Sequence, residues 1–80
     1  MEILNCRYDG RKSFYGKAKV DYEGEKQVLY SYGTRVCEIE NGKVVILGFY
    51  SSTTLRHIKE FLKQNGFSAE SKKDLEKYLN

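Results

Sequence analysis

Ser51-Ser52-Thr53-Thr54, with Arg56 and His57 directly after, is the densest group of chemically able side chains in the sequence. Four hydroxyls open a helical pattern here, and a guanidinium and an imidazole follow within one turn. The first N–H groups of a helix have no backbone partners, and the helix dipole is positive at that end, so such a site suits an anion. A phosphate could bind there, held by Thr53, Thr54, Arg56 and His57. An ordinary N-cap beside an exposed arginine explains the same residues and outweighs the phosphate reading. His57 is the single histidine of the chain. As a base for a hydroxyl between Ser51 and Thr54 it lacks a recognisable nucleophile motif, so a structural role is favoured.

A second group is basic and aromatic. Tyr15, Lys17 and Lys19 alternate along one face of a strand-like run, and Arg11 and Lys12 come just before it. Interleaved cations and a ring suit a nucleic-acid backbone with a stacked base. The competing reading is a solvated strand face whose lysines protect an exposed edge. Arg56, Lys59 and Lys63 form a further basic stripe, diluted by Glu60. Tyr30, Tyr32 and Tyr50 are expected in the core or at its rim, and any tyrosine left exposed would make a good anchor for a protein partner.

Enzymatic chemistry has little support. The sequence holds no paired carboxylates at suggestive positions, no G-x-S-x-G, no glycine-rich phosphate loop and no cluster at metal-ligand spacing. No catalytic residue, metal or cofactor is expected. Cys6 and Cys37 lie far apart without a C-x-x-C, and read as reduced, small apolar residues. The N-terminus lacks a basic segment leading into an apolar stretch, and the longest apolar run is far short of a membrane span. A cytoplasmic protein without membrane contact is therefore expected.

These groups must be positioned by a small fold. Eighty residues, 40% hydrophobic and 31% charged with net charge +3, describe a single globular domain over 1–80. A core of this size leaves room for stabilisation as a homodimer. Strand patterns occupy residues 2–8, 14–22, 26–32, 34–40 and 43–50. In the second, Phe14, Gly16, Ala18, Val20 and Tyr22 share a face. In the third, Val28, Tyr30 and Tyr32 do. Asp9-Gly10, Glu23-Gly24-Glu25 and Asn41-Gly42 are turns, the last a strong type I′ hairpin signal. Gly33 is either a turn or a bulge within one long strand. The apolar run 43–50 reads as a central strand buried on both faces, or covered on one face by the helix.

The period changes at Ser51. Leu55, Ile58, Phe61 and Leu62 form an apolar stripe, while Arg56, Lys59, Glu60 and Lys63 face away from it. Asn65-Gly66 ends this helix, expected over about 53–64, and Phe67 folds back on its last turn. Ser71-Lys72-Lys73-Asp74 opens a second helix over about 71–79 through a variant capping box. The fold class is α+β: an antiparallel sheet of four or five strands, one long helix and one short C-terminal helix.

The stretch Leu29-Tyr-Ser-Tyr-Gly-Thr, the segment Val36 to Ile39, and Ser51-Ser-Thr-Thr-Leu-Arg-His-Ile-Lys-Glu-Phe-Leu-Lys-Gln-Asn-Gly-Phe67 carry a resemblance. Over roughly residues 13–67 the chain resembles a family of small uncharacterised proteins encoded by phages, prophages and plasmids of Gram-positive bacteria. The Thr-Thr-x-Arg-His-Ile-x-x-Phe-Leu portion is its distinctive part. The resemblance implies an accessory protein of a mobile element in the bacterial host cell, and transfers no site. The expected function is a non-enzymatic nucleic-acid-binding module using Tyr15, Lys17, Lys19 and the Arg56 region. The alternatives are an anti-defence inhibitor of the anti-CRISPR type that binds a host protein, and a protein that sequesters a small nucleotide.

Overall fold

The computed structural model describes residues 1–10, 13–48 and 51–79. Five antiparallel strands, β1 (Glu2–Ile3), β2 (Ala18–Glu23), β3 (Lys26–Ser31), β4 (Thr34–Glu40) and β5 (Lys43–Ile46), precede a long helix α1 (Ser52–Gln64) and a short helix α2 (Lys72–Glu76). The sheet runs in chain order, β1-β2-β3-β4-β5, so each strand pairs with its sequence neighbour. Two-residue loops join β2, β3, β4 and β5: Gly24-Glu25, Tyr32-Gly33 and Asn41-Gly42, closed by the pairs Glu23 with Lys26, Ser31 with Thr34 and Glu40 with Lys43. Both residues of the last two loops have positive φ, as a type I′ turn requires. Gly33 is thus part of a turn.

A separate irregularity lies nearby. Leu29 pairs with Cys37 but Tyr30 pairs with Arg35, so Val36 is an extra residue in β4. This bulge lets consecutive residues Val36 and Cys37 both enter the core, which strict alternation forbids. Burial pushes the Cys37 thiol up to about 12. Cys6 is half-buried, and neither cysteine is in a disulfide.

Helix α1 covers one face of the sheet. Ile58, Phe61 and Leu62 are buried against Ala18, Val20, Leu29, Ile39 and Ile46, each large side chain contributing roughly 1.5–3 kcal/mol by leaving water. Ser51 caps the helix by accepting the Thr54 N–H. At the other end Gly66 N–H donates to Lys63 O and Phe67 N–H to Leu62 O, with Gly66 at φ +84°. That is a Schellman cap, and Phe67 packs on the core behind it. Ser71 caps α2, and Asp74 accepts the Glu70 N–H.

Several sequence expectations change. The run 43–50 is an edge strand, not a central one: β5 stops at Ile46, Leu47 is exposed, and residues 49 and 50 lie outside those described. Its outer edge is partly covered, because the Ile46 N–H donates to Tyr78 O at 2.8 Å and Ile46 bridges to Leu79. Helix α2 is shorter than 71–79 for the same reason, since its C-terminal residues are drawn to β5. The expected strand 14–22 begins only at Ala18. Tyr15-Gly16 form a turn, and Tyr22 is exposed at the sheet's rim instead of joining Phe14, Ala18 and Val20.

The first strand keeps only two of its expected residues because Glu60 draws residues 8–9 to itself. Helical periodicity places Glu60 on the solvent side of α1, yet it is 1% exposed. Its Oε1 accepts the N–H groups of Tyr8 and Asp9, each at 2.8 Å, and its Oε2 accepts Gln64 Nε2 at 2.5 Å. A buried carboxylate needs such donors, and here the need pulls the chain off the sheet and onto the helix. Arg56 completes the attachment, donating to both carboxylate oxygens of Asp9 at 2.9 and 3.0 Å.

Candidate nucleic-acid interface

Helix packing on one face leaves the other face of the sheet open. Across it runs a row of directly paired residues, Ile3, Lys19, Tyr30 and Arg35. Opposed side chains in a ladder stand about 4.5–5.5 Å apart at Cβ, so Lys19 and Tyr30 are neighbours. Lys17 lies just before β2 and remains tied to the ladder, its carbonyl accepting the Tyr32 N–H at 2.8 Å. Lys17, Lys19, Tyr30 and Tyr32 line a shallow basin of about 490 Å³ together with Met1, Gly16 and Gly33.

Around the rim of the sheet, Lys17 and Tyr32 also line a groove of about 190 Å³ with Ser13, Phe14, Tyr15, Thr53, Arg56 and His57. Basin and groove form one continuous surface. Tyr15 and Tyr32 stand at the tips of adjacent turns, 77% and 56% exposed. Both have φ +53°. A bulky side chain at positive φ is strained by roughly 1–2 kcal/mol, and asparagine is the ordinary occupant, as at Asn41. Each of these turns therefore keeps a tyrosine where the backbone favours another residue.

Behind Tyr32 the rings continue inward. Its ring lies 5.6 Å from that of His57, which meets Phe14 at 4.4 Å edge-on. His57 is 1% exposed, and its Nδ1 is 2.7 Å from Ser31 Oγ. Ser31 Oγ is in turn 3.0 Å from Thr54 Oγ1. Ser31 and Thr54 are buried as well, so this imidazole–hydroxyl contact belongs to the core and fixes the ring on which Tyr32 rests. The histidine's hydroxyl partner comes from β3, not from the 51–54 run.

The sequence-predicted residues divide accordingly. Tyr15, Lys17, Lys19, Thr53 and Arg56 are brought to this surface, and His57 is buried beneath it. Arg56 is engaged by Asp9, whose hydrogen bonds hold the guanidinium above its ordinary pKa. Thr54 is turned into the core. Lys59 lines a different, polar hollow of about 410 Å³ with Tyr8, Asp9, Arg56, Lys63 and Glu70. Arg11 and Lys12 lie outside the described residues. Tyr30 and Tyr32 are functional candidates that alternation alone assigns to the core or its rim. The signal for Tyr32 is the Tyr-Gly pair repeated at 15–16 and 32–33.

The charges also differ in their freedom. Arg35 pairs with Glu23 and Glu38, Lys26 with Glu38, Arg56 with Asp9 and Lys63 with Glu70. Lys17 and Lys19 make no such ion pair among the described residues, so their charge is open to a partner. Among the described residues no group of His, Cys, Asp and Glu is placed to hold a metal ion, and no helix is long and apolar enough to cross a membrane.

A sequence-family profile matches residues 1–77. The chain belongs to DUF8033, a family of unknown function. The DUF8033 match is longer than the 13–67 stretch that carries the resemblance, and takes in β1 and all of α2. Neither curated proteins nor solved structures provide a significant match.

Proposed function

We propose that this protein is a non-enzymatic nucleic-acid-binding module, an accessory protein of a phage or other mobile element acting in the bacterial cytoplasm. The observation that carries the reading is the placement of Lys17 and Lys19, without an ion pair among the described residues, in one basin with Tyr30 and the exposed Tyr32, Lys17 also lining the groove that holds the exposed Tyr15. The lysines answer phosphate charge, and the tyrosines offer flat surfaces to bases. The mobile-element setting rests on the resemblance of Ser51 to Phe67.

The test is binding of labelled single- and double-stranded DNA and RNA at rising salt. Affinity is expected to fall steeply between about 50 and 200 mM salt as phosphate neutralisation is screened. Lys17→Gln/Lys19→Gln should flatten that slope by about two phosphate equivalents. Absence of binding to every form at the lowest salt refutes the reading. A second reading, an inhibitor that occupies a host protein, is favoured by the exposure of Tyr8, Tyr15, Tyr22 and Tyr32. A stoichiometric complex with one host protein, surviving nuclease treatment, would replace the first reading with this one.

A further inference from the structure

We infer that the nucleic acid taken by this surface is single-stranded, with an unpaired base stacked on Tyr32. This rests on the nucleic-acid reading and narrows it. Phe14, His57 and Tyr32 form a chain of ring contacts from the core to the surface, Phe14 meeting His57 edge-on and Tyr32 lying tilted 33° over His57. The two inner rings are buried and the outermost is more than half exposed. His57 is held by Ser31, so Tyr32 rests on a fixed support, and a nucleobase would stack on the exposed side of its ring.

Duplex nucleic acid cannot supply that base, because its bases are already stacked; unpaired bases can be splayed onto aromatic side chains. Reading a duplex groove takes a protruding helix or two-stranded ribbon, whereas this surface is a concave basin. Lys17 and Lys19, two residues apart in the chain, both line the basin beside Tyr32, so two cations lie next to the stacking ring and can answer phosphates of the same strand. The left-handed Tyr32 backbone is the fourth observation: asparagine would relieve its strain and forfeit the ring.

The probe is a mixed-sequence DNA or RNA strand about 16 nucleotides long, alone and paired with its complement. Single strands are expected to bind at least tenfold tighter than the duplex. Because the chain has tyrosines and no tryptophan, stacking is read as quenching of tyrosine emission, and the part of it lost in Tyr32→Asn belongs to that ring. Tyr32→Asn should melt no lower than the unsubstituted protein, yet bind single strands about 5- to 150-fold more weakly, the range for one lost stack. Duplex binding as tight as single-strand binding, or a folded Tyr32→Asn that binds single strands unchanged, overturns the inference and leaves the nucleic-acid reading standing. Should Tyr32→Asn fail to fold, saturation with a single strand without quenching overturns it equally. No binding to any strand, single or paired, overturns both.

Discussion

Replacing Glu60 with alanine is expected to destabilise the protein out of proportion to the volume removed. The side chain is buried and receives three hydrogen bonds, two from the backbone of Tyr8 and Asp9 and one from Gln64. A hydrogen bond to a charged group contributes roughly 1.5–3 kcal/mol net, so the two backbone bonds alone amount to about 3–6 kcal/mol. Tyr8 is exposed and Gln64 half-exposed, so water recovers part of this and the expected loss is about 2–4 kcal/mol. A domain of eighty residues has roughly 4–12 kcal/mol in total, which makes the loss a large fraction of it. Urea titration followed by circular dichroism measures the loss, and Tm should fall by about 10–20 °C. Glu60→Gln, which keeps an acceptor for the backbone donors, should lose about half as much. Native-state hydrogen exchange adds the location, since Tyr8 and Asp9 amides should lose protection in both variants. A Glu60→Ala protein within about 0.5 kcal/mol of the original would refute the account of how residues 8–9 are held.

Two more outcomes are expected at named residues. Tyr15→Asn removes a bulky side chain from a left-handed position and should raise stability by about 1 kcal/mol, a gain of several degrees in Tm; an unchanged or lower Tm would remove strain from the argument. Hydrogen bonding from Arg35, reinforced by Lys26, holds the Glu38 carboxyl below its ordinary 4.5. A group depressed in the folded state adds stability that is complete above the unfolded pKa and lost as pH falls through the folded value. The acid limb of a stability–pH curve below about pH 4.5 should therefore flatten in Glu38→Gln, the variant being less stable at pH 7 and converging with the unsubstituted protein in acid.

The parts of the fold that depend on neighbours along the chain are legible in the amino-acid sequence itself. Asn41-Gly42 is the hairpin turn its residues specify, Ser51 and Gly66 cap α1 as their chemistry requires, and Leu55, Ile58, Phe61 and Leu62 lie on its inward side. The hidden parts depend on distant residues. Glu60 looks like a solvent residue of an amphipathic helix until the N–H groups of residues 8–9, more than fifty positions away, arrive to receive it. The run 43–50 is apolar enough for a central strand, but its place at the edge comes from the simple order of hairpins and from the C-terminal residues that cover it. Of the candidate surface, Lys17 and Lys19 are visible as an alternation. Tyr32 is not, because alternation predicts a face only while the strand continues, and β3 ends one residue earlier at Ser31.

The chain-order sheet also sets how the molecule comes together. Three of its four strand pairings close over two-residue loops, so the loop-closure entropy of each step is small, and hairpins of this kind form in about 1–10 μs. The helix adds an equally local unit. The attachment of Tyr8 and Asp9 to Glu60 is different, because it joins segments 52 and 51 residues apart and gains nothing until the sheet and helix already stand. That clasp is a late event on the folding route. Weakening it should leave the refolding rate nearly unchanged and appear as faster unfolding, so the lifetime of the native state, rather than the speed of reaching it, is what Glu60 governs.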